Sequence, residues 1–119
     1  MGKINFVHEY TVEGYITFSI KIISGEFSGT SSFCLSKSTL LNAILALGEM
    51  YNQLEGAYQI NNYDNDDFIL FEFAKHGHLN ISGQVGGSHN QQFLVYNFMT
   101  DQTALHEVIS TFHKVVSFL

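Results

Sequence analysis

Ser36-Lys37-Ser38-Thr39-Leu40-Leu41-Asn42-Ala43-Ile44-Leu45-Ala46-Leu47-Gly48-Glu49-Met50-Tyr51-Asn52-Gln53-Leu54-Glu55-Gly56 is where the hydrophobic period of this chain changes. Leu40, Ile44, Leu47, Tyr51 and Leu54 recur at alternating spacings of four and three, with Leu41 widening the stripe, which predicts one amphipathic helix. Ser36 or Ser38 supplies a side-chain oxygen for the first free amides, and Gly56 can take the left-handed conformation that closes the other end. Gly48 in the helix interior costs about 1 kcal/mol relative to Ala, so close packing against a sheet is expected there.

Upstream the period is two. Ile4, Phe6 and Tyr10 alternate with polar neighbours, followed by Val12, Gly14, Ile16, Phe18, Ile20 and Ile22, then Phe27, Phe33 and Leu35 beyond a turn at Ser24-Gly25-Glu26. These read as half-buried strands. Downstream, four more strands are expected over 57–60, 68–73, 78–85 and 92–99, with Lys75-His76-Gly77 as a tight turn. A second helix is expected from Thr100, with Leu105, Val108, Ile109, Phe112, Val115, Val116 and Leu119 on one side. Two helices cannot supply the crossovers of a parallel sheet. The fold class is therefore α+β, a mainly antiparallel sheet of six or seven strands with both helices on one face, in the order βββ-α-ββββ-α. At 119 residues, the chain reads as one domain spanning 1–119.

Apolar types make up 45% of the residues and charged types 13%, enough to fill a core and too few charges for a disordered chain. Five Lys against eleven Asp and Glu leave a formal charge of −6, and Arg is absent. Without the forked guanidinium, binding to nucleic acid and phosphoryl transfer are disfavoured, and a basic partner is favoured. Cys34 is the only cysteine and demands no oxidising compartment, so the cytoplasm is the expected location. The first residues lack the apolar core of a signal peptide, and no apolar run approaches the roughly 20 residues that span a bilayer.

The chemistry-bearing residues have ordinary explanations. His76, His78, His89, His106 and His113 lack a carboxylate or second thiolate at ligand spacing. The loop holding Asn61, Asn62, Asp64, Asn65, Asp66 and Asp67 has neither the central Gly nor the terminal Glu of a calcium loop. Cys34 has no catalytic signature around it, and nothing singles out two of Glu9, Glu13, Glu26 and Glu72 as a catalytic pair. Gly83-Gln84-Val85-Gly86-Gly87 precedes a strand rather than a helix, so hairpin glycines account for it better than a phosphate loop. Thr100-Asp101-Gln102-Thr103 reads as a helix cap. No catalytic, cofactor or metal residue is therefore assigned.

Leu54-Glu55-Gly56-Ala57-Tyr58, the apolar run 68–73, Gly77-His78-Leu79-Asn80-Ile81-Ser82-Gly83, Phe93-Leu94-Val95-Tyr96-Asn97-Phe98 and Thr100-Asp101-Gln102-Thr103-Ala104-Leu105 follow in that order. This segment, a little under half of the chain, resembles the Wap-type immunity proteins that accompany bacterial polymorphic toxins and contact-dependent inhibition systems. The resemblance implies a non-enzymatic protein that binds the toxin domain of its own cell or siblings and blocks it. Toxins of this kind are often nucleases with basic substrate grooves. The resemblance carries over no contact residue.

Charge and residue type supply the expected contacts: Asp64, Asp66 and Asp67 on an exposed loop, Tyr63 as an aromatic anchor, and Glu49 and Glu55 near the end of the first helix. The competing class is a small-molecule binding module on the polar sheet face, formed by Tyr15, Thr17, Ser19, Ser28, Thr30, Ser32, His78, Asn80, Ser82 and Gln84. Homodimer pairing through that face is left open.

Overall fold

A computed structural model describes residues 2–86 and 92–119. Its elements are β1 (Lys3–Val12), β2 (Tyr15–Ser24), β3 (Phe27–Ser36), α1 (Lys37–Gln53), β4 (Ala57–Asn61), β5 (Phe68–Phe73), β6 (Leu79–Val85), β7 (Leu94–Thr100) and α2 (Gln102–Val116). The α+β class and the order βββ-α-ββββ-α match the sequence expectation. The seven antiparallel strands divide into two sheets, β1-β2-β3 and β4-β5-β6-β7.

The division has a visible cause. Among the described residues no strand of the second sheet pairs with the outer edge of β3, and a side chain takes part of that place. Asn62 Oδ1 accepts from Cys34 N–H at 3.0 Å and Asn62 Nδ2 donates to the Ser32 carbonyl at 2.9 Å. Tyr63 N–H donates to the Cys34 carbonyl at 2.9 Å. An amide side chain carries the same donor and acceptor pair as a peptide, so Asn62 satisfies the edge without extending the sheet.

Both sheets and both helices share one core. Ile16, Phe18, Phe33 and Leu35 of the first sheet and Ile60, Ile69, Phe71 and Ile81 of the second pack with Leu40, Ala43 and Leu47 of α1 and Leu105, Val108 and Phe112 of α2. The Phe112 ring lies 5.1 Å from Phe6 and 5.4 Å from Phe18. With the helices on this side, the opposite faces of the sheets are left to solvent. Among the described residues no helix is long and apolar enough to cross a membrane.

Several local expectations are corrected. Ser36 caps α1, accepting from Thr39 N–H at 3.2 Å, but the left-handed closing residue is Leu54 at φ 55° rather than Gly56. Leu54 therefore leaves the buried stripe, which consists of Leu40, Ala43, Leu47 and Met50. Thr100 ends β7, and Asp101 caps α2 through Thr103 N–H at 2.9 Å. Gly83 sits inside β6, not in a hairpin turn, and Gly87 lies outside the described residues. A Cβ built on Gly48 meets nothing within 4 Å, so close packing does not explain that glycine. Gly48→Ala should raise stability by about 1 kcal/mol, read as a higher urea midpoint at unchanged slope. A lower midpoint would show that the glycine is needed there.

Candidate functional site

The β1–β2 hairpin turns on Glu13 and Gly14, both with positive φ at 51° and 82°. This is the signature of a two-residue type I′ turn, whose twist suits the flanking strands. The alternation of Val12, Gly14 and Ile16 with Glu13 and Tyr15 predicts continuous strand here, and the turn interrupts it. The Gly14 carbonyl accepts from Lys37 N–H at 2.9 Å, which fastens the hairpin tip to the start of α1.

Strict alternation from Phe6 would bury Tyr10 and Val12 with it. The register instead shifts between His8 and Tyr10, so that Tyr10 faces Thr17 and Val12 faces Tyr15. One extra residue in a strand sends everything beyond it to the other side. Tyr10 and Val12 are each 57% exposed, beside the exposed Val7 and Tyr15. They form an apolar and aromatic strip on the face away from the helices.

Tyr63 extends this strip from the loop between β4 and β5. Its ring centroid is 4.9 Å from that of Tyr15, and its side chain is 66% exposed. The neighbouring Tyr63 hydroxyl is the foremost cause raising the Tyr15 phenol above its ordinary pKa. The loop is ordered by its own asparagines: Asn62 Oδ1 accepts from Asp64 N–H at 3.2 Å and Asn65 Oδ1 from Asp67 N–H at 2.8 Å. Asp64 and Asp66 are exposed. Burial first, and then the Asp64 charge, push the Cys34 thiol up, with Thr17 opposing. A raised thiol pKa disfavours thiolate chemistry at Cys34.

Three of the six expected contact residues thus come together: Tyr63, Asp64 and Asp66. Asp67 does not join them. Expected to be exposed, it is 1% accessible, with Oδ2 accepting from Ser31 Oγ and Gly86 N–H at 2.9 Å each and Oδ1 from Gln84 Nε2 at 3.1 Å. A carboxylate here satisfies donors from β3, β6 and the residue after β6, so its position is set by the join between the sheets. Glu49 and Glu55 lie toward the far end of α1, a helix about 25 Å long at 1.5 Å per residue. They line a separate shallow cleft with Met50, Gln53 and Gly56.

The residues that sequence reasoning missed are Tyr10, Val12 and Glu13, and Tyr15 was assigned to a merely polar face. Gly14 was the one legible hint of a turn, since Glu13 is not a residue that type I′ turns favour, and the bulge left no residue pattern to find. Among the described residues no group of His, Cys, Asp and Glu is arranged to hold a metal ion, and His89 lies outside them. The polar-face residues considered for a small-molecule groove are split between the outer sides of two sheets. Two open clefts of about 590 and 500 Å³ lie around Gly2 and Thr100 instead.

A family model describing WapI-like immunity proteins matches residues 8–118, from the middle of β1 to beyond α2. The chain belongs to the WapI-like immunity protein family. Membership implies toxin-neutralising immunity, and proteins of this family are typically non-catalytic. No curated protein and no solved structure matches the chain. The segment matched by the WapI-like model contains the second half of β1, all the other strands, both helices and every residue of the exposed strip except Val7.

Proposed function

We propose that this WapI-like immunity protein, acting as a single α+β domain in the cytoplasm of the producing cell, neutralises a cognate bacterial toxin domain by direct contact. Blocking the active site or the substrate path requires only a complementary surface, and no bond is made or broken. The observation that carries this reading is the family match, and the exposed Tyr63, Asp64 and Asp66 cluster supports a contact surface. The formal charge of −6 favours a basic target. A nuclease domain meets that condition, since its groove must attract phosphate. Glu49 and Glu55 contribute to the long-range field from the other end of α1.

The test is affinity capture from the source cells, followed by identification of the bound fragment and assay of its toxicity with and without one equivalent of this chain. A stoichiometric complex that abolishes the toxic activity supports the reading, and a captured toxin that stays active rejects it. Within that complex, Asp64→Asn combined with Asp66→Asn should slow association about 3- to 10-fold at low ionic strength, flatten the salt dependence and leave dissociation nearly unchanged. Identical association rates across a salt series would remove the loop from the encounter surface.

A further inference from the structure

We infer that the outer face of the β1–β2 hairpin, with Tyr10, Val12 and Tyr15 joined by Tyr63, is the anchoring surface and takes a cationic protein segment whose Lys or Arg side chains lie over the tyrosine rings. This inference rests on the immunity reading above and assigns the site within it. Two exposed tyrosines and Val12 on a strand pair whose opposite face is locked into the core are joined by the exposed Tyr63 of the β4–β5 loop. Binding energy concentrates on such aromatic clusters when little ordering is needed to present them.

Charge selects the occupant. Glu13 occupies the turn beside Val12 and Tyr15, and the exposed Asp64 and Asp66 follow Tyr63 in the same loop, while Lys37 lines a cleft with His8, Val115 and Phe118. A cation over these rings meets both the negative ring face and the carboxylates around it. A second copy of this chain is disfavoured, because a two-fold contact here would bring the acidic surface of Glu13, Asp64 and Asp66 against the same acidic surface of the other copy. Strand addition along β1 is disfavoured as well, since the bulge at Glu9 interrupts the free edge. The cleft of about 310 Å³ beside Tyr63, lined also by Cys34, Thr39 and Tyr58, can admit one long side chain.

The experiment uses the full chain and deca-arginine as probe, followed by amide chemical shifts. Shifts should cluster on residues 7–17 and 63–66. Tyr15→Ser combined with Tyr63→Ser, which leaves the charge unchanged, should weaken peptide binding about tenfold, as should Tyr10→Ser with Tyr63→Ser. Leu45→Ser, at an exposed position on α1, should change it less than twofold. Shifts centred on Glu49 and Glu55, or variants binding within twofold of the parent, overturn the assignment. The captured toxin separates the two readings. If it is neutralised equally by parent and tyrosine variants, this face is wrong and the immunity function stands. A captured toxin left active, with the peptide still mapping to this face, rejects the function and keeps the cation-binding surface.

Discussion

Asp67→Ala is expected to remove about 2–4 kcal/mol of folding stability, because it leaves several donors at the join of the sheets without their acceptor. The carboxylate is buried at 1% exposure and its donors include a hydroxyl from β3, an amide from the end of β6 and a backbone N–H from the residue just after it. Truncation leaves Ser31, Gln84 and Gly86 each losing an acceptor where water has little access, and each unsatisfied donor costs about 1–3 kcal/mol. The same residue passes its carbonyl to Asn62 N–H at 2.9 Å, and Asn62 in turn completes the edge of β3. Loosening Asp67 therefore loosens the seam between the sheets. Asp67→Asn should cost less, because one oxygen still accepts. Urea unfolding with Asp66→Ala as the exposed neighbour makes the comparison: a change within about 0.5 kcal/mol is expected for Asp66. An Asp67→Ala protein as stable as the parent would show that this carboxylate does not hold the seam.

Gly83→Ala should cost about 2–4 kcal/mol, and for a different reason. Gly83 lies between Ile69 and Tyr96 in the second sheet. A Cβ there would run into the carbonyl oxygen of Phe68 and lie 2.8 Å from Tyr96 Oη. The obstacle is the backbone of β5, which cannot rotate away as a flexible side chain would. The Tyr96 hydroxyl itself donates to that carbonyl at 3.4 Å, and burial, followed by the nearby Asp67 charge, raises its pKa so that it keeps its proton. Placing a methyl group in this space displaces the tyrosine or the strand. The contrast with Gly48→Ala is the check: one glycine is required by its neighbours and the other is not, so the two alanine variants should shift the urea midpoint in opposite directions. A neutral Gly83→Ala would mean that β5 and β6 separate without penalty.

Much of the fold was legible because its signals are periodic. Leu105, Val108, Phe112 and Val115 follow the 3.6-residue period and are the buried side of α2, and the strand β5 begins and ends where the apolar run does. Ser36 and Asp101 cap their helices because short oxygen-bearing side chains satisfy amides that a helix leaves free. The candidate site was legible only in part. Tyr63, Asp64 and Asp66 stand out as exposed types in a polar loop, but Asp67 has the same composition around it and the opposite environment. Residue type records what a side chain can do, and not whether a hydroxyl from β3 will arrive to meet it.

From sequence alone followed the α+β class, the order of strands and helices, the negative charge and the resemblance to immunity proteins, since each depends on local period, residue counts or residue order. Tertiary structure decided three further matters: the split into two sheets, the burial of Asp67 and the side of the hairpin on which Tyr10 and Val12 stand. All three depend on contacts between residues distant in the chain or on a single inserted residue in a strand register. A one-residue shift exchanges the two faces of a strand at little local penalty, so the packing of Phe6, Ile16 and Phe18 into the core, together with the bulge after His8, determines which side meets the solvent.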